Sequence, residues 1–165
     1  MKKLILNICL LATISFSVQA QSTLQSPDDF LGYELGTRFT PHHKVVAYYQ
    51  HVASVMSNVT TQRYGQTNEL RPLMVNMISS QENMDKLEQI RTDNLKRTGM
   101  MEGEPSGDNI GIVWMSYNVH GNEANSTETA MKTLFELANP NHTASKDWLK
   151  NTVVILDPCI NPDGR

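Results

Sequence analysis

Ile110-Gly-Ile-Val-Trp-Met-Ser-Tyr-Asn-Val119 runs directly into His120-Gly121-Asn122-Glu123 and then into Thr127-Glu-Thr-Ala-Met-Lys-Thr-Leu-Phe135. The first ten residues form a β-rich apolar run, the signature of a buried strand. The last segment repeats apolar residues at helical spacing, with Met131, Leu134, Phe135 and Ala138 on one stripe. Asn125-Ser126-Thr127-Glu128 has the pattern of a capping box, with Glu123 as an alternative start one turn earlier, and Asn139-Pro140-Asn141 stops the helix. His120 and Glu123 therefore stand three residues apart at the C-terminal end of a strand, and Gly121 lets the backbone turn tightly between them. Imidazole nitrogen and carboxylate oxygen are both zinc donors, and a catalytic zinc has three protein ligands and one open position. The pair is thus part of a candidate zinc site. On its own the spacing is common, and a surface histidine beside a glutamate placed at a helix N-terminus produces it equally well.

Downstream, Thr152 to Leu156 is a second continuous apolar strand, so strand, helix and strand make a βαβ unit with parallel strands. Upstream, Val59–Tyr64 and Leu73–Ile78 are short strands flanking a polar turn at Gly65–Glu69, which predicts a hairpin. Arg71 precedes its second strand, where a guanidinium can face a cleft and pair with a carboxylate. A helix opens at Pro41-His42-His43 with an apolar face of Val45, Val46, Tyr49, Val52, Ala53 and Met56. His51 falls on the opposite face of that helix, and His42 and His43 at its start also read as surface groups. Glu82–Arg97 reads as a weaker helix, Thr98–Asn109 as a loop, and Gln21–Thr40 as a connecting segment. The expectation is an α/β fold: a mixed sheet flanked by helices in three α/β/α layers, with ligands beyond the carboxyl ends of the strands. His120 and Asn161 lie at such ends.

The chain has 165 residues, enough for one domain. Met1-Lys2-Lys3, an apolar run from Leu4 to Val18 and Val18-Gln19-Ala20 make residues 1–20 a secretory signal peptide. Its removal takes away two lysines and no acids, so the net charge moves from −3 to −5. The implied location is secreted or periplasmic, with no stable membrane association after cleavage. Mild acidity gives no reason to expect a nucleic-acid partner. Residues 21–165 form the domain and keep only Cys159, which excludes a disulfide framework and reads as a small core residue.

Three motifs in order carry a family resemblance. Tyr64-Gly65 through Arg71-Pro72-Leu73 resembles the Gly-Arg-Pro strand start of the zinc metallocarboxypeptidases, the carboxypeptidase A-like peptidases. His120-Gly121-Asn122-Glu123 resembles their His-x-x-Glu zinc motif, and Asn161-Pro162-Asp163-Gly164 their Asn-Pro-Asp-Gly turn. The resemblance covers about Pro27 to Arg165. It implies one Zn2+ held by His120 and Glu123, Arg71 as a substrate-binding arginine, a structural role for the Asn-Pro-Asp-Gly turn, and release of C-terminal residues from a peptide or protein substrate. Leu70 departs from the pattern, standing where the family usually has glycine. The family's third zinc ligand, its carboxylate- and oxyanion-binding arginines and its glutamate base have no counterparts here. The chain therefore reads as the N-terminal portion of such a domain, truncated and inactive alone. Within the same superfamily, His-Gly-Asn-Glu also resembles the aspartoacylase and succinylglutamate desuccinylase branch of acyl-amino-acid hydrolases. A non-catalytic binding module on a degenerate peptidase domain is the alternative of a different class.

Overall fold

The computed structural model describes residues 23–165 of the chain, so the signal-peptide segment lies outside the described residues. Four strands form one sheet in the order β1-β2-β4-β3: β1 (Val59–Gln66), β2 (Pro72–Ile78), β3 (Gly111–Ser116) and β4 (Thr152–Asp157). The hairpin is present: β1 and β2 pair antiparallel from Val59 opposite Ile78, with a register shift between Arg63 and Gly65. The parallel pair is present too, β3 against β4 from Gly111 opposite Thr152 to Ser116 opposite Asp157. β2 also pairs antiparallel with β4, so the sheet is mixed.

Six α-helices accompany it among the described residues: α1 (Pro27–Leu31), α2 (His42–Val55), α3 (Gln81–Met84), α4 (Leu87–Arg97), α5 (Ala124–Ala138) and α6 (Thr143–Leu149). The pleat of β4 divides the core. Val154 and Leu156 face α2 and α5, where they meet Val45, Tyr49, Met131 and Leu134, all buried. Val153 faces the other way, onto Ile90 of α4 and Ile110. Helices thus lie on both faces of the sheet, α2 and α5 packed on one and α4 over part of the other, in the α/β/α arrangement. The buried Asn76 side chain is satisfied: it donates to the Tyr49 carbonyl at 2.9 Å and accepts from Thr61 Oγ1 at 2.6 Å.

Several expectations change. β3 is an edge strand among the described residues, and Trp114 is 61% exposed. A continuous apolar run measures how hydrophobic both faces of a strand are, and is silent on its place in the sheet. The strand also ends at Ser116 rather than Val119, leaving residues 117–123 as the loop that carries the histidine. The helix expected over Glu82–Arg97 breaks into α3 and α4, because Lys86 leaves helical geometry at φ −115°, ψ 14°. The segment before residue 40 contains α1, capped by Ser26 Oγ accepting from the Asp29 amide at 3.1 Å and closed by Gly32 at φ 74°. Before β4, α6 starts on His142, whose Nδ1 accepts from the Ser145 amide.

Candidate functional site

The loop after β3 is built on polar anchors beneath it. Asn118 is buried and left-handed, at φ 56°. Its amide N–H donates to Ser126 Oγ in α5 at 2.9 Å, and its Nδ2 donates to the His120 carbonyl at 2.6 Å. From the far side, the Asn-Pro-Asp-Gly turn presses on the same loop. Asn161 Nδ2 donates to the Val119 carbonyl at 2.9 Å, and a Cβ on Gly121 would fall inside the carbonyl of Gly164. Only glycine fits at position 121, a close-approach requirement rather than one of backbone angle.

On this support the two expected donors meet. His120 Nδ1 lies 2.8 Å from Glu123 Oε1, and the His120 amide donates to Glu123 Oε2 at 3.1 Å. Hydrogen bonding from the His120 ring first, and from its amide second, holds the Glu123 carboxyl below its ordinary pKa against partial desolvation. The carboxylate is therefore ionised near neutrality and available as a ligand. Nitrogen and oxygen donors in contact, both solvent-accessible, fit part of the donor set that zinc takes. No group of three His, Cys, Asp or Glu side chains converges among the described residues, so the pair stands alone there.

Arg71 sits on the other side of the same turn. Its Nη1 is shared between Asp163 Oδ1 and Glu69 Oε2, each at 2.6 Å, while Nε and Nη2 make no hydrogen bond among the described residues. Asp163 also accepts from Thr67 Oγ1 at 2.7 Å and from the Glu69 amide at 3.2 Å, so one carboxylate fastens the whole 67–71 loop. Burial works to raise the pKa of Asp163, but the bonds from Thr67, Arg71 and the Glu69 amide outweigh it and bring it below the ordinary value. Leu70 keeps the loop shape that glycine would give, at φ 62°. A cleft of about 460 Å³ opens here, lined by Arg71, Leu70, His42, Pro162 and Arg165 among others. The turn thus touches the cleft through Pro162 and the loop of the His120–Glu123 pair through Asn161 and Gly164.

Two histidines differ from expectation. His42 is half-buried, with Nε2 2.9 Å from the Pro72 carbonyl, and burial lowers its pKa. His51 packs on the Phe30 ring with 5.1 Å between centroids and accepts from the Gln25 amide. Helical periodicity places a residue relative to its own helix, and these contacts come from other segments. Sequence reasoning passed over Asn118 and Asp157. Asp157 ends β4 fully buried, its carboxyl pushed up by burial and only partly offset by bonds from Tyr64 Oη at 2.6 Å and the Cys159 amide. Asn118 had a signal, since asparagine is the side chain that most readily takes the left-handed conformation after glycine. Cys159 is buried, as expected.

No curated protein matches the chain. Among solved structures, carboxypeptidase A from Helicoverpa armigera aligns over 84% of this chain with a TM-score of 0.57 and 19% identity. A metallo-carboxypeptidase from Burkholderia cenocepacia aligns over 76% with a TM-score of 0.55 and 16% identity. The chain spans 31% and 28% of those two proteins, and at such identities the likeness is one of fold. A model of the zinc carboxypeptidase family matches residues 45–165, a range that holds the hairpin, the His120 loop and the Asn-Pro-Asp-Gly turn. By that match, over most of its length, the chain belongs to the zinc carboxypeptidase family.

Proposed function

We propose that His120 and Glu123 are zinc ligands of a metallocarboxypeptidase that releases C-terminal residues from peptide or protein substrates. The supporting observation is the 2.8 Å approach of His120 Nδ1 to Glu123 Oε1 at the carboxyl end of β3. Zinc, when bound, supplies a Lewis acid and an activated water. The chain's own share is to hold the ion on one imidazole and one carboxylate that is already ionised. Arg71 is the substrate-binding group in this reading: with Nη1 occupied by Asp163 and Glu69, its Nε and Nη2 remain as donors for a carboxylate or carbonyl in the cleft. Because the chain spans under a third of the solved relatives named above, the whole reaction is part of the proposal. So is export: the Met1–Ala20 leader supports a secreted or periplasmic location, in keeping with an extracellular peptide substrate.

The test is metal content. The wild-type chain, loaded with zinc and dialysed, is expected to retain more metal than His120→Ala, measured by atomic absorption. Equal zinc in the two proteins refutes the ligand assignment.

A further inference from the structure

We infer that Asn118 is the positioning residue of the His120–Glu123 pair, setting from beneath the loop the backbone path on which the two donors converge. The inference rests on the zinc reading above and extends it to a residue with no ligand atom of its own.

Asn118 is 1% exposed, and every polar group of its side chain is engaged in a way that points at the loop. Nδ2 donates to the carbonyl of His120 itself, at 2.6 Å. Oδ1 accepts from Thr127 Oγ1 of α5 at 3.0 Å and from Cys159 Sγ, beyond β4, at 3.2 Å. Both acceptor positions of the amide oxygen are thereby filled, which fixes the plane of the amide and aims its N–H at the His120 carbonyl. The backbone of Asn118 adds a fourth tie, N–H to Ser126 Oγ. One residue thus joins three segments: the His120 loop, the first turns of α5 that follow Glu123, and the stretch after β4 that enters the Asn-Pro-Asp-Gly turn.

The consequence falls on the ligand residue. The His120 carbonyl is held by Asn118 and its N–H by Glu123 Oε2, so both of its peptide groups are pinned in orientation. The imidazole and carboxylate are themselves solvent-accessible, and besides their contact with each other their one tie is the bond that Glu123 Oε2 accepts from the His120 amide. Their approach is therefore inherited from the backbone. Asparagine meets all the requirements at position 118. Glycine takes the left-handed conformation but offers no side-chain bond. Alanine strains the backbone and offers none either. Aspartate tolerates the conformation but turns an acceptor toward the His120 carbonyl. Groups that orient metal ligands from behind in this way typically control affinity by about 10- to 100-fold.

The experiment is the Zn2+ dissociation constant of the full chain, by competition with a chromophoric chelator. Wild type is compared with His120→Ala, Asn118→Gly and Thr127→Val, with circular dichroism and melting temperature recorded for each. His120→Ala is expected to abolish the competition, Asn118→Gly to weaken binding about tenfold with the folded spectrum intact, and Thr127→Val to weaken it in the same direction by less. A folded Asn118→Gly that binds zinc within about twofold of wild type, while His120→Ala does not bind, overturns the positioning role and leaves the zinc reading standing. A lower melting temperature with an unchanged constant overturns it in the same way, because a purely structural residue affects folding alone. If Asn118→Gly does not fold, Thr127→Val decides by the same criterion. Unchanged binding in His120→Ala overturns the zinc reading and the inference together.

Discussion

Two loops lean on the Asn-Pro-Asp-Gly turn from opposite sides, and they use their polar groups in opposite ways. In the 67–71 loop the charges serve the loop itself: Asp163 gathers Thr67, the Glu69 amide and Arg71, and Glu69 takes a further share of the same guanidinium nitrogen. In the 117–123 loop most of the anchoring falls to neutral groups, Asn118, Ser126, Asn161 and the Gly164 backbone, and the two ionisable side chains are tied only to each other and to the His120 amide, which donates to Glu123 Oε2. The contrast separates support from chemistry. A loop fixed by its own charges has few of them left for a ligand, while a loop fixed by amides and a glycine contact leaves imidazole and carboxylate accessible.

The largest effect that would break this comparison is steric. Gly121→Ala places a methyl group inside the Gly164 carbonyl, and both partners are backbone, so neither can move without displacing its loop. The expected cost is about 3 kcal/mol, the upper part of the range for overpacking. Gly65→Ala, in the strand leading to the other loop, is the matched control. Its new Cβ would meet only the Leu73 side chain, at 3.9 Å, an ordinary contact. Urea unfolding of the two variants checks the pair. Equal midpoints would mean that the 117–123 loop is not seated on the turn as described.

The second effect is electrostatic and belongs to the 67–71 loop alone. Because the carboxyl of Asp163 is held below its ordinary value, the folded state binds fewer protons there than the unfolded chain. Its contribution is therefore fully present above the unfolded pKa and is lost as pH falls through the lower folded value. Asp163→Asn should be less stable than wild type at neutral pH, with the gap narrowing across the acid limb. Asp157 titrates in the opposite sense, since burial raises its pKa and protonation relieves the cost, but it is common to both proteins and cancels in the difference. A gap that stays constant down to the lowest accessible pH would show that the fastening of this loop does not depend on the Asp163 charge.

How much of this was open to the sequence depends on the range of the interaction concerned. The hairpin and the placement of His120 and Glu123 at a strand end follow from periodicity and turn residues within about a dozen positions of one another, and the parallel pair, although its partners are far apart in the chain, follows from the crossover rule for two apolar strands joined by a helix. The edge position of β3, the burial of His42 against Pro72 and the packing of His51 on Phe30 are set by partners elsewhere in the chain, which local patterns do not encode. The break between α3 and α4 at Lys86 was hidden for another reason, since lysine is a good helix former and carries no stop signal. Within the site, the His120–Glu123 pair was legible as a motif. The anchors were not, because Asn118 reaches Cys159 across 41 positions and Thr67 reaches Asp163 across 96.

Leu70 gives the smallest and most local test. Its φ of 62° costs a side-chain-bearing residue about 1–2 kcal/mol, and leucine has no short polar group with which to offset it. The conformation persists because the loop is overdetermined: the Leu70 amide donates to Thr67 at 3.0 Å, and Arg71 on the next position is fastened to Asp163. The side chain is 69% exposed, so little packing is lost on removing it. Leu70→Gly should relieve the strain and give back about 0.5–1 kcal/mol of it to the greater freedom of the unfolded chain, for a net gain of about 0.5–1 kcal/mol. A higher urea midpoint is the expected reading, and a lower one would refute the strain. Combining Leu70→Gly with Asp163→Asn carries the comparison further. If the loop's own backbone bond from Leu70 to Thr67 enforces the strained turn, the gain from glycine should persist when the carboxylate is gone. If instead the loop relaxes, leucine escapes the left-handed region and the gain disappears, which would identify the ion pairs as the source of the strain that they hold in place.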